Sequence, residues 1–502
     1  MTHLTCLILL FVVSFVTADI CNTLREAGVS VESPLTAEYV SILNDYWSAA
    51  CSALRPKCVF TPRNANEVSV IVTALRKTTD KFAVKSGGHM PNLGFSSIDD
   101  GVLIATKNLN GLIYNPFTQT VTIGPGLTWQ DAQQGIADTG RTIVGGRMGK
   151  VGVGGYLLGG GLSFLSSQYG WAVNSLVDIE IVLANGTIVH ANDATNAELF
   201  NAVKGGGGGN FGIITAYTLN THPISRQIWG GNYVFPGSNA TQLLAAVHEF
   251  TTNYPDDKAG IIVTAITGLL TDSFIVYLFY DGPSPPDHVF AAFRSIGPIQ
   301  DTTKSRSYID LVRDNNAVIV PLTVDVIATE TTPLTDDPIT DLQVLKSYYD
   351  NWKRTVRRIA TLPDVFATMT YQPLSRTITR KAGPGTNTPG GSGQGLVNFP
   401  PTADYILFQY HFSYILGLVN EPQIAHAVRH LEVSTRELVD RHIAEGRLPD
   451  VPRPLYMNDM NGHQDYWGRI GEDMAAFARR VRESVDPEKW WQERTSGGWR
   501  VG

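Results

Sequence analysis

Two glycine-rich stretches constrain this chain more than anything else in it: VKSGGHM at Val84–Met90 and VGVGGYLLGGG at Val151–Gly161. In the first, a short apolar strand, Phe82-Ala83-Val84, runs through Lys85 into Ser86, two glycines and a histidine. Gly87 and Gly88 carry no Cβ, so backbone N–H groups there can turn outward and approach a ligand closely. Such groups suit phosphate oxygens, and His89 sets an imidazole at the rim of that anion site. Taken alone, the stretch reads as a tight turn followed by a surface histidine. Its context changes that.

Around it the chain reads as small α/β units. Residues 67–78 have a helical pattern, with Val70, Ile71, Ala74 and Leu75 on one face. The strand at 82–85 follows, then strands at 102–105 and 121–123, the latter ending in Gly124-Pro125-Gly126. A helix over about 129–139 leads into the second glycine cluster. A Walker A loop there needs Gly at 144 and Ser or Thr at 151, and both are valine. A GxGxxG turn starting at Gly152 needs Gly at 157, where Leu157 stands. What remains is a bare-backbone wall for a large flat ligand. A strand at 176–183 precedes five glycines at 205–209, which run directly into Asn210-Phe211-Gly212 and a β-prone Ile213-Ile214-Thr215. A linker has no reason to carry that tail, so the run reads as a second backbone cradle.

After Pro223 the pattern shifts to strands at 226–235, 260–267, 273–280, 364–372 and 404–414. Helical stretches near 240–252, 286–295 and 342–360 lie between them. That predicts an antiparallel sheet covered by helices. The strand at 404–414 alternates Leu407, Gln409, His411 and Ser413 with Ile406, Phe408, Tyr410, Phe412 and Tyr414. Residues 383–394, GPGTNTPGGSGQ, read as a loop, either over a site or simply on the surface. Near the C-terminus Ile470, Met474, Phe477, Val481 and Val485 make a helical stripe suited to a core.

The ends and the charge place the chain. Residues 1–18 hold an apolar run and small residues before Asp19, the pattern of a cleaved signal peptide; the competing reading is a membrane anchor. Cleavage removes Cys6 and leaves Cys21, Cys51 and Cys58, enough for one disulfide and one odd thiol. Asn185-Gly186-Thr187 and Asn239-Ala240-Thr241 are glycosylation sequons. A net charge of −7 without a basic run argues against nucleic acid as a partner. No His, Cys or carboxylate spacing suggests a metal, and nothing marks the oligomeric state.

The ordered set SGGH at Ser86–His89, GPG before Trp129, VGVGG…GGG at Val151–Gly161, GGGGGNFGIIT at Gly205–Thr215, Tyr456-Met457-Asn458 and Asp486-Pro487 resembles one known family. It is similar to the secreted, berberine-bridge-enzyme-like flavin oxidases of the vanillyl-alcohol oxidase superfamily. The resemblance spans nearly all of the mature chain and is strongest over residues 58–225. It implies an α+β fold: a two-part FAD-binding domain over 19–225 and 450–502, and a substrate domain over 226–449 with an antiparallel sheet under helices. It also implies the disulfide Cys21–Cys58, with Cys51–Cys58 as the alternative.

By the same resemblance FAD is tethered covalently through His89. Lys85, Ser86, Gly87, Gly88, Gly126, Val151, Gly152, Gly154, Gly155, Gly160, Gly161, Ile214 and Asn458 are its binding candidates. Many relatives add a second tether from a cysteine where this chain has Met148, so attachment at His89 alone is expected. Val151 matches a position beside the flavin where a small side chain leaves oxygen a path, which favours O2 as acceptor. Tyr456, His411 and Gln409 are the catalytic candidates; His411 reads either as a general base or as a structurally satisfied histidine. Asp459 stands where several relatives carry another tyrosine, which puts sugar-oxidase chemistry in doubt. Tyr114 and His190 read as surface or packing residues. The expected function is a secreted FAD-dependent oxidase of a small alcohol, amine or polyketide-like intermediate. The alternatives are an oligosaccharide oxidase, and a non-redox cyclase or isomerase keeping FAD as scaffold.

Overall fold

The structure, a computed structural model, describes residues 19–267, 272–359, 362, 364–381, 395–415 and 421–502. The expected signal segment at 1–18 and the loop at 383–394 lie outside these residues. The strand leading to the first glycine turn, Phe82–Lys85, lies parallel to Val102–Ala105, which in turn lies parallel to Cys58–Phe60. Val31–Glu32 completes this four-stranded sheet. The Ala65–Leu75 helix packs its buried face, Val68, Ile71, Val72 and Leu75, on that sheet. Thr120–Ile123, Leu176–Val182 and Ile213–Asn220 lie side by side in a second, antiparallel sheet of five strands. Cys21 and Cys58 form a disulfide with Cα atoms 6.1 Å apart, and Cys51 is a buried free thiol.

The third sheet holds the strands expected after Pro223: Ile228–Pro236, Ala259–Thr267, Asp272–Tyr280, Phe366–Leu374 and Tyr405–Ile415. It is antiparallel throughout. Helices Ala240–Thr252, Pro338–Ile359 and Glu421–Ala444 cover one face with their apolar stripes. The expected helix at 286–295 is shorter and later, Ala291–Ile296.

One edge strand of this sheet, Thr323–Pro333, has no counterpart in the pattern reading. It pairs with Tyr405–Ile415 over its whole length. Its sequence, TVDVIATETTP, lacks polar/apolar alternation because it is buried on both faces. Glu330 within it is buried and meets Arg469 at 2.6 Å, tying the sheet to the C-terminal segment.

That segment returns to the first sheet. Thr495 bridges Phe82, Trp490 and Trp491 pack on the Phe82 ring, and the Arg494 guanidinium donates to the Thr78 carbonyl at 2.7 Å. Among the described residues no helix is long and apolar enough to cross a membrane, and no group of three or more His, Cys, Asp or Glu gathers for a metal.

Candidate active site

The two glycine clusters meet in space. A Cβ on Gly87 would fall 2.5 Å from the Gly152 Cα, and one on Gly152 would fall 2.4 Å from the Gly87 nitrogen. Only hydrogen fits at either place, so the turns lie backbone to backbone. Ser86 fastens them: its hydroxyl donates to the Pro125 carbonyl at 2.5 Å and accepts from the Gly154 N–H at 3.3 Å. Three separated motifs thus converge on one serine.

From this junction opens a cavity of about 520 Å³. One part of its wall comes from Ser86–His89, from Val151, Gly152, Gly154 and Gly155, and from Gly207–Gly209. At Gly155 and Gly208 an added Cβ would meet nothing within 4 Å, so both present bare backbone to open space. Ile214 and Asn458 line the same region. The other part is the uncovered face of the third sheet, with Ile262, Thr264, Ile266, Ile275, Tyr277, Thr368 and Thr370. A wall of this kind fits a dinucleotide: phosphates are held by backbone N–H groups rather than by side chains. Among the described lining residues Arg147 is the only lysine or arginine.

Four expected cofactor ligands are not in that wall. The Lys85 amine turns away to Asp45, 3.4 Å off, and lies over the Tyr46 ring. Burial pulls its pKa down, against the pull of Asp45. Gly126 is glycine because a Cβ would strike the Thr106 carbonyl at 2.1 Å. Gly160 and Gly161 have positive φ, and their missing Cβ atoms make room for Val397 and for Tyr156 and Ala172. These glycines serve packing behind the cavity rather than contact within it.

His89 is set by a partner that carries no sequence signal: Trp47 stacks on its ring at 4.4 Å and 12°. Its remaining exposure is to the cavity, and burial, then the nearby His411, pull its pKa down to about 4. His89 is therefore a neutral imidazole at neutral pH, with a free lone pair on one nitrogen. Met148 lines the cavity in place of a thiol.

The three catalytic candidates line the cavity but differ in what they can do. His411 is held by Asp325, Nε2 to carboxylate 2.8 Å, and its ring leans on Trp47. Asp325 comes from the unforeseen strand, diagonal to His411 in register. The Tyr456 oxygen accepts from the Leu162 N–H at 2.9 Å and from Asn458 Nδ2 at 3.1 Å. Burial pushes its phenol up to about 12, so it is protonated near neutrality. Gln409 donates through Nε2 to Asp459 Oδ1 at 2.7 Å.

Asp459 is the residue the pattern reading left without a role. It sits on the short turn Met457–Asp459, buried, and lines the cavity. Gln372 donates to its other oxygen at 2.6 Å, while the Gln372 carbonyl accepts from Arg147. Burial raises its carboxyl to about 6; Gln372, Arg147 and Gln409 hold it back from going further.

Residues 56–192 match the FAD binding domain family. The chain is 42% identical over 490 residues to an FAD-linked oxidoreductase of Arthroderma benhamiae, covering 97% of this chain and 96% of that protein. It is 30% identical over 502 residues to the FAD-dependent monooxygenase drtC of Aspergillus calidoustus, covering 96% and 90%. In fold it is similar to 6-hydroxy-D-nicotine oxidase of Arthrobacter nicotinovorans, with TM-score 0.73, 18% identity, and coverage of 94% of this chain and 98% of that one. Berberine bridge enzyme from Eschscholzia californica gives TM-score 0.70 and 17% identity over 96% and 99%. With near-complete coverage at this identity, a matching FAD-binding domain and a glycine-walled cavity, the chain belongs to the FAD-linked oxidoreductases and has the fold of berberine bridge enzyme.

Proposed function

We propose that this protein is a secreted FAD-dependent oxidase of a small, largely apolar alcohol, amine or polyketide-like substrate, with dioxygen as final acceptor and one covalent flavin link at His89. The observation that carries this reading is the continuity of the cavity. Bare backbone at Gly155 and Gly208 opens into the same space as the sheet face bearing Thr264, Thr370 and Gln409. Bound there, FAD would supply the two-electron chemistry, accepting hydride from a C–H bond and passing the electrons to oxygen.

The chain's own part is to bind, orient and exclude water. The amides of Gly87, Gly88 and Gly155 would hold the phosphates, and the Trp47 ring fixes the plane of His89. Neutral His89 is the nucleophile a carbon tether needs, and Met148 offers no second one. The sheet face presents isoleucines and threonines, so a substrate with one or two polar groups matches it better than a sugar, whose many hydroxyls would lack partners. Secretion is supported by the apolar 1–18 segment, the Cys21–Cys58 disulfide and an exposed sequon at Asn185.

The test is an acid-precipitated, unfolded sample examined for yellow colour and intact mass. A flavin-sized increment on the peptide carrying His89, in a chain beginning at Asp19, is expected. Colourless protein with no adduct would overturn the reading. Because drtC is named a monooxygenase, peroxide should also be measured against labelled oxygen in the product. One peroxide per turnover is the oxidase result.

A further inference from the structure

Resting on that reading, we propose that Asp459 is the catalytic base, taking the proton from a substrate hydroxyl or amine on the sheet side of the cavity. In that step the O–H or N–H bond breaks and its electron pair becomes the second bond to carbon. The proton passes to an Asp459 carboxylate oxygen, and the C–H hydride leaves to the flavin oxidant of the proposed function.

The geometry separates Asp459 from its rivals. His411 commits Nε2 to Asp325 at 2.8 Å and keeps Nδ1 as its one other nitrogen, on a ring that leans against Trp47. The Tyr456 oxygen already accepts two N–H groups, and Tyr156 donates its hydroxyl to the Leu162 carbonyl at 2.9 Å. Asp459 is a buried carboxylate facing the cavity with one N–H on each oxygen, 2.7 Å from Gln409 and 2.6 Å from Gln372, which leaves lone pairs on both oxygens.

The Gln372 amide cannot turn round. Its oxygen faces the Arg147 guanidinium, so its NH2 must face Asp459. Arg147 thereby supplies its positive charge one residue removed. A direct Arg–Asp pair would drop the carboxyl well below the ordinary range. The interposed glutamine keeps an anion in a buried site while leaving it basic. The charged and titratable groups facing it are Arg147, Tyr156 and Tyr456; both phenols have pKa values raised by burial and stay protonated, so the carboxyl at about 6 is the group that titrates near neutrality. Arg147, Gln372 and Gln409 are positioning residues for it.

The experiment uses the full-length holoenzyme, its flavin content fixed first from the denatured spectrum. Anaerobic flavin bleaching is then followed with 4-methoxybenzyl alcohol, 4-hydroxybenzyl alcohol and benzylamine as probes. The rate should climb about tenfold per pH unit below about pH 6 and level off above. Asp459→Asn should lower it ~100-fold or more and abolish the climb. Tyr456→Phe should keep the climb. Gln409→Leu, which removes one donor to the carboxylate, should move its midpoint upward.

A protein without flavin sinks the proposed function itself. A flavin-loaded protein that no probe reduces, or an Asp459→Asn variant as fast as the parent at every pH, overturns the Asp459 assignment alone. So does an unshifted midpoint in Gln409→Leu, which also decides the matter should the asparagine variant fail to fold.

Discussion

At Gly152 the space for a side chain is measured by a main-chain atom, the Gly87 nitrogen, which an added methyl would meet at 2.4 Å. Backbone cannot yield as a side chain does, so Gly152→Ala should destabilise by about 1–3 kcal/mol and lower flavin content, read by thermal melting and by absorbance. His89→Ala should leave flavin that denaturation releases into the supernatant; flavin still attached to the unfolded variant would refute attachment there. Asp459 bears on stability as well as on chemistry. Its folded pKa of about 6 lies above an ordinary 3.8, so folding stability falls as pH rises between the two and stays lower above. Asp459→Asn removes that penalty. It should melt higher than the parent at pH 7.5, by up to ~3 kcal/mol of stability, with the difference fading towards about pH 4. A residue that costs stability in its resting state is what a working group in a buried site looks like.

Single elements show where pattern and fold part company. Strands with one wet and one dry face were legible: Tyr405–Ile415 turns Gln409, His411 and Ser413 to the cavity and Phe408, Tyr410 and Phe412 to the helices, as its alternation implies. Thr323–Pro333 was not, because a strand buried on both sides shows no alternation and this one mixes Asp, Glu and Thr into its run. With it went Asp325. The Glu421–Ala444 helix carries a readable stripe at Ile424, Val428, Leu431, Thr435 and Val439, and it is a miss of reading rather than of signal. Glycine motifs told where backbone is bare but not towards what. Gly155 faces the cavity, whereas Gly160 and Gly161 face Val397 and Tyr156, and only the fold separates those cases. At this scale the Glu330–Arg469 pair is the joint to test. Arg469→Ala strands a buried carboxylate and should cost ~3–5 kcal/mol in chemical denaturation, more than Arg469→Lys.

Across the whole molecule, the first and last parts of the chain are held to the same small sheet. The Cys21–Cys58 disulfide closes the N-terminal arm over a separation of 37 residues, and the Cys21→Ala/Cys58→Ala pair should lower stability by about 2–4 kcal/mol in a melt. The resemblance pointed to that pairing; no spacing rule could have. The opposite end matters in a different way. Trp491, Thr495, Gly497, Gly498 and Trp499 belong to the cavity wall beside the Gly207–Gly209 backbone. A ribosome releasing this polypeptide vectorially would therefore deliver every other part of the pocket before the pocket itself exists. On the proposed reading, a flavin would be captured only once residues 491–499 have folded against the Gly207–Gly209 backbone.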